Sequence, residues 1–207
     1  MAIAYGIIDA QAGFMPAQVA VAGTGELGVS EGEQIIPVVN RLTQYALAQG
    51  WAVFTTQDWH PTQTAHFSAT PNFTTTWPVH CVAGTAGAAI HPDIVVPVGA
   101  TTFHKGMDVL SDGADDTSYS GYYAQTETGL SLPAWLAQRQ ITQVYLVGLA
   151  FDYCVGSTAL DLAQRSGVVV RVISDATRPV AMASQHTMLA RLAAAGVTVE
   201  TMNEVVA

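Results

Sequence analysis

The stretch Gln143-Val144-Tyr145-Leu146-Val147-Gly148-Leu149-Ala150-Phe151-Asp152-Tyr153-Cys154-Val155-Gly156 runs from an apolar segment through a short turn into a helix start. Gln143–Leu149 reads as a core strand, because its apolar run does not alternate with polar residues. A helix opens at Asp152 or Tyr153 and ends at Gly167, and Val168–Ser174 follows as the next strand. Working outward, the same alternation recurs. Ala2–Asp9 is a buried strand, and residues 10–30 form a long loop containing Gly13, Gly23, Gly25 and Gly28. Ser30 and Glu33 make a capping box for a helix through Ile35, Ile36, Val39, Leu42 and Ala46, with a stop near Gly50. Trp51–Gln57 and Thr101–Lys105 are further strands, the second followed by a loop over residues 106–129. Leu132–Gln140 is a helix with Pro133 tolerated in its first turn. Ala183–Ala195 is another helix, stopped by Gly196, and Val197–Thr201 is a last strand. Strands alternating with helices predict an α/β fold: one three-layer α/β/α domain over residues 1–207, Rossmann-like, with a mainly parallel central sheet and helices on both faces.

Composition narrows the function. The chain has 207 residues, enough for one domain with a well-buried core. Sixteen acidic against seven basic residues give a formal charge of −9, a field that predicts no nucleic acid partner and no anionic membrane surface. Although 50% of the residues are hydrophobic, no apolar run reaches the ~20 residues of a membrane span. The start, Met1 to Asp9, lacks the basic region of a secretory signal. Two cysteines, Cys81 and Cys154, do not make a disulfide framework, so a reducing cytoplasm is the expected location. The partner expected is a small-molecule substrate; a homo-oligomer is compatible with the sequence but not required by it.

Ligands of parallel sheets bind at the carboxyl ends of the strands. Asp9, Asp58 and Lys105 terminate the first three strands and Cys154 follows the fourth, so four chemically capable residues converge on one sheet edge. A thiol at a helix N-terminus feels the positive end of the dipole, which favours thiolate. The same turn offers the N–H groups of Ala150 and Cys154 to an oxyanion. Asp9 is placed to act as base, and Lys105, the only lysine in the chain, to lower the thiol pKa by opposite charge. Taken singly, Asp9 is a turn residue, Lys105 a surface amine and Cys154 a buried structural cysteine; their matching positions favour function. Cys81 suits the structural role better. Between Asp58 and Cys81 the chain also carries His60, His66 and His80. One histidine there would read as a turn-capping loop residue. Four candidate ligands, Asp58, His60, His66 and His80, read as a site for one divalent metal ion: zinc foremost, or iron or manganese.

Asp9, Lys105 and Cys154, with Asp58-Trp59-His60, His66-Phe67-Ser68, the run Thr74-Thr75-Thr76-Trp77-Pro78-Val79-His80-Cys81-Val82-Ala83-Gly84-Thr85 and Lys105-Gly106, resemble the nicotinamidase/pyrazinamidase branch of the isochorismatase-like cysteine hydrolases. The likeness runs through nearly the whole chain. It implies that Cys154 attacks the carboxamide of nicotinamide after Asp9 takes its proton, that Lys105 supports the pair, and that Ala150 and Cys154 hold the oxyanion beside a cis Leu149–Ala150 peptide. It implies that Asp58, His60, His66 and His80 hold the metal, and that Phe14, Trp77, Tyr119 and Leu149 contact substrate. The expected product is nicotinate, for NAD salvage, with pyrazinamide-like analogues as further substrates. The competing expectation is a metal-independent amidohydrolase of the same superfamily acting on a carbamoyl or ureido compound. One departure stands out: the usual Asp-x-Gln-Asn-Asp-Phe opening is here Asp9-Ala10-Gln11-Ala12-Gly13-Phe14, which removes two polar side chains that would brace the loop. His91 and His186 fall to structural or surface roles, and His104 to a neighbour tuning Lys105.

Overall fold

The computed structural model describes residues 1–16, 24–108 and 118–206. Six strands, β1 (Ala2–Ile8), β2 (Ala52–Asp58), β3 (Thr101–Lys105), β4 (Ile141–Leu149), β5 (Val169–Arg178) and β6 (Thr198–Glu200), form one sheet in the order β3-β2-β1-β4-β5-β6. Every pairing is parallel, so the expected mainly parallel sheet is wholly so. Period-two alternation sorts its side chains onto two faces. Ala4, Ile8, Phe54, Val144 and Leu146 pack with Trp135, Leu160 and Leu192 on one face. Tyr5, Ile7, Val53, Tyr145 and Val147 pack with Val39, Leu42 and Met202 on the other. The helices are α1 (Ile36–Ala48), α2 (Leu132–Gln138), α3 (Gly156–Arg165), α4 (Met182–Ala194) and α5 (Met202–Val206). The first and last lie on the second face and the other three on the first, which makes three layers.

Several local expectations shift. The capping box at Ser30 does not form. Glu31, in the left-handed region, precedes a 3-10 turn over Gly32–Ile35, and α1 begins at Ile36 without a side-chain cap. The turn after β4 is wider than an α-helix start: Phe151–Val155 is a π-turn in which Val155 N–H donates to Ala150 O, five residues back, before α3 proper. Strand β5 runs four residues further than expected, to Arg178, and α5 was not anticipated. Parts of the two glycine-containing loops, residues 17–23 (with Gly23) and 109–117, lie outside the described residues.

Strand order reverses between β1 and β4, since β2 and β3 lie beyond one and β5 and β6 beyond the other. Such a reversal opens a crevice at the carboxyl ends of the two central strands. Here the chain leaves β1 at Asp9 and β4 toward Cys154. Their close approach depends on Gly148 (φ 114°), where a Cβ would lie 1.8 Å from Ile8 O.

Candidate active site

Asp9 leaves β1 in the left-handed region, at φ 45°, a conformation rare for a residue with a Cβ and common where function dictates the aim of a side chain. Its N–H donates to Thr56 O (3.2 Å), and Thr56 Oγ1 donates to Asp9 Oδ1 (2.6 Å). The β2–β3 register sets Asp58 directly beside Lys105. Lys105 Nζ meets Asp9 Oδ2 at 2.9 Å, forms an ion pair with Asp58 Oδ1, and donates to Ser118 O (3.2 Å) and Cys154 Sγ (3.4 Å). The Asp9 contact is one of charge, since Oδ2 has no aligned hydrogen-bond donor. All four side chains are buried, Asp9 completely. The sole lysine therefore serves the interior, and the three residues expected to do chemistry meet through it.

One amine among two carboxylates and a thiol divides the protons unevenly. Burial opposes charge on Lys105, but Asp58 and Asp9 hold its pKa well above the ordinary lysine value. Burial likewise works against Asp58, yet Lys105 and His60 pull its carboxyl well below the usual range. On Asp9 burial wins over Lys105, and the pKa is raised. Cys154 differs from expectation: burial pushes its thiol well above the ordinary value, with Lys105 offsetting only part of the shift and both carboxylates adding to it. The helix end and the lysine do not make a resting thiolate. The resting group is a thiol beside a carboxylate of raised basicity, an arrangement suited to proton transfer during attack.

A second group lies beside the first. The candidate ligand atoms of His60, His66 and His80 lie within 4.8 Å of one another, and all three residues are buried. His60 Nδ1 contacts Gly106 O (2.9 Å) and His80 Nδ1 contacts Pro78 O (2.7 Å). Glycine at 106 has its own reason, because a Cβ there would come 2.5 Å from His60 Cε1. His60 Nε2 and His66 Nδ1 are buried without hydrogen-bond partners, which buried polar atoms rarely are unless something else fills the role. Burial and His60 depress the pKa of His66 to about 3 and of His80 to about 4, leaving neutral imidazoles, the form that binds metal. Asp58 Oδ2, 3.6 Å from His60 Nε2, faces this group while Oδ1 faces Lys105. These donors fit a divalent cation.

Gln11 was not singled out beyond its place in the opening motif. Its side chain grips both backbone groups of Asp58, donating to O (2.9 Å) and accepting from N (2.8 Å), and donates again to Ala88 O (2.7 Å). It thereby fixes the carboxylate shared by the two groups. An amide-to-peptide pairing across 47 residues leaves no local signature in sequence.

The cavity above Cys154 is lined by Phe14, Trp77, Tyr119, Ala150, His66 and His80. Tyr119 Oη accepts from Trp77 Nε1 (2.9 Å) and donates to Thr74 O (2.9 Å), which fixes the two rings. Tyr153, edge-on to Trp77, and Leu27, Val29 and Val180 complete the apolar lining. Leu149 is not part of it. Its side chain packs near Gly32, in the same apolar cluster as Phe14 and Ile35, and Ala150, after the cis Leu149–Ala150 peptide, lines the cavity instead. His104 does not reach Lys105, its strand neighbour; its ring stacks on Trp59 at 4.3 Å. His91 is buried, its Nδ1 accepting from Asp93 N–H, and His186 is exposed. Cys81 is buried against Gly87 O, as the structural reading had it.

The structure gathers a thiol, two carboxylates, an ammonium and a histidine group at the carboxyl edge of a wholly parallel α/β sheet, beside the reversal between β1 and β4. Residues 4–204 match the isochorismatase domain model, and the chain belongs to that family. It is 36% identical over 193 residues to the nicotinamidase of Escherichia coli (strain K12), covering 86% of this chain and 88% of the relative. Among solved structures, the pyrazinamidase of Pyrococcus horikoshii in complex with zinc superposes with a TM-score of 0.79 at 28% identity, over 98% of this chain and 100% of that one. A protein of L. infantum in complex with nicotinate superposes at 0.76 and 28% identity, over 98% and 93%.

Proposed function

We propose that this protein is a metal-dependent nicotinamidase, hydrolysing nicotinamide to nicotinate and ammonia through a thioester on Cys154. One observation carries the proposal: Lys105 Nζ stands 2.9 Å from Asp9 Oδ2 and 3.4 Å from Cys154 Sγ, in a crevice walled by Phe14, Trp77 and Tyr119. The thiol proton passes to Asp9 as sulfur attacks the carboxamide carbon. Lys105 stays positive beside both groups and offsets the negative charge that sulfur gains as its proton leaves. The N–H groups of Ala150 and Cys154 serve the oxyanion. Asp9 returns its proton to the amine, ammonia leaves, and the same carboxylate then takes a proton from the water that cleaves the thioester and passes it to the departing Cys154 sulfur. Asp58, His60, His66 and His80 would hold the cation, which when bound supplies a Lewis-acid anchor for a ring nitrogen or water. Zinc is the first choice, from the donor set and from the zinc-bound pyrazinamidase relative. Pyrazinamide fits the same ring space, and nicotinate would feed NAD salvage in the cytoplasm.

Ammonia release from nicotinamide, with and without chelator, tests this directly. Cys154→Ala should lose at least about a thousandfold in kcat, as removal of a covalent nucleophile does. Turnover of small ureido amides but not of nicotinamide would sink the substrate assignment, and undiminished turnover by Cys154→Ala would sink the mechanism.

A further inference from the structure

Gly13, where the resemblance leads one to expect an aspartate, lies against the carboxylate of Glu26. A Cβ at Gly13 would lie 2.6 Å from Glu26 Oε2, 2.8 Å from Cys81 Sγ and 2.9 Å from Gly87 O. A Cβ at Gly87 would lie 2.0 Å from Glu26 Oε1, and its three nearest atoms all belong to the Glu26 carboxylate. The end of Glu26 thus fills a slot that exists only because both facing residues lack side chains. Backbone bonds frame the slot, from Gly13 N–H to Gly87 O and from Leu27 N–H to Gly13 O, both 2.9 Å. Glu26 immediately precedes Leu27-Gly28-Val29-Ser30, which line the cavity, and Val29 N–H donates to Phe14 O (2.9 Å).

We infer that Glu26 is a positioning residue: its carboxylate, pegged between Gly13 and Gly87, sets the Leu27–Ser30 wall against Phe14 and so determines the ring space above Cys154. Its effect on substrate rests on the nicotinamidase function proposed above. Glu26 thereby takes the space beside Gly13 that a side chain at that position would otherwise fill.

A double-mutant cycle tests the peg, because a methyl at Gly87 meets nothing nearer than Glu26 and so removes the same contact from the other side. Glu26→Ala and Gly87→Ala should each raise KM for nicotinamide about tenfold, the scale of a misfitted pocket wall, with kcat within about twofold of wild type. The double variant should be no worse than either single one, and Glu26→Gln, which keeps the shape, should stay near wild type. An unchanged KM in Glu26→Ala, or effects that multiply in the double variant, would overturn the inference. If wild-type protein released no ammonia from nicotinamide, the functional proposal would fall by itself. The same four proteins compared by thermal unfolding then judge the peg: non-additive losses of Tm support it and additive ones overturn it.

Discussion

In the proposed mechanism Lys105 is the residue on which the chemistry turns, and its charge acts on two neighbours at once. Its charge lowers the pKa of Asp9 and of Cys154, though burial keeps both above their ordinary values. An opposite charge at such distances is worth about one to three pKa units. Lys105→Met should therefore slow alkylation of Cys154 by iodoacetamide at pH 8 about tenfold or more, read by peptide mass spectrometry with buried Cys81 as the internal reference. The pH dependence of turnover follows from Asp9. It must be ionised to accept the thiol proton, and its folded pKa is raised, so kcat/KM should fall on the acid side above the ordinary carboxylate range. Without the lysine charge Asp9 holds its proton more tightly, and that acid limb should move to higher pH in whatever activity remains. Alkylation of Cys154 at the wild-type rate in Lys105→Met would mean that the ammonium does not tune the thiol.

At the scale of elements, the π-turn that carries Cys154 is tied to α4 by Asp152. Its carboxylate accepts from Val180 N–H (2.8 Å), Ala181 N–H (3.1 Å) and the Ser184 hydroxyl, capping a helix whose own N-cap, Ala181, has no side chain for the task. Asp152→Ala would remove the cap from these part-buried donors at a cost of about 1 kcal/mol, which for a chain of this length lowers Tm by about 2–4 °C; Ser184→Ala should cost less. A Tm within a degree of wild type would remove Asp152 as the tie. This contact also marks what was legible beforehand. The parallel sheet, and the convergence of Asp9, Asp58, Lys105 and Cys154, follow from apolar runs punctuated by polar residues at strand ends, a signal local to each segment. The missing cap at Ser30, the π-turn, the Gln11 grip on Asp58 and the Asp152 cap depend on residues 28 or more positions away, or on a backbone choice that propensity does not specify. The net direction of the Cys154 pKa shift is not legible in sequence for a related reason. Proximity to a lysine could be read from strand ends, but the depth of burial that outweighs it is a property of the packed molecule.

For the whole molecule, the unequal distribution of regular structure implies that the proposed cation would have a role beyond the proposed reaction. Between the end of β2 at Asp58 and the start of β3 at Thr101 no helix or strand forms. The first half of that segment is held by isolated bridges, His60 with Val82 and Phe67 with Trp77, and by turns such as Asn72 Oδ1 accepting from the N–H groups of Thr74, Thr75 and Thr76. Connections this long are unusual inside compact domains without some staple. The His60, His66 and His80 group joins both bridges to the Asp58 end of β2, so an ion held there would close the loop onto the sheet. A ligand that binds only the folded state stabilises it by about 4 kcal/mol at a thousand times its Kd. Stripping the metal should therefore lower Tm by several degrees. It should also speed amide exchange across residues 60–82 while leaving β1 and β4 protected to the level of global unfolding. Readdition of zinc should reverse both changes in wild type but not in His66→Ala, which keeps Asp9, Lys105 and Cys154 intact. Exchange in residues 60–82 that ignores the chelator would show that the loop is held by its own hydrogen bonds, and that the cation serves the substrate alone.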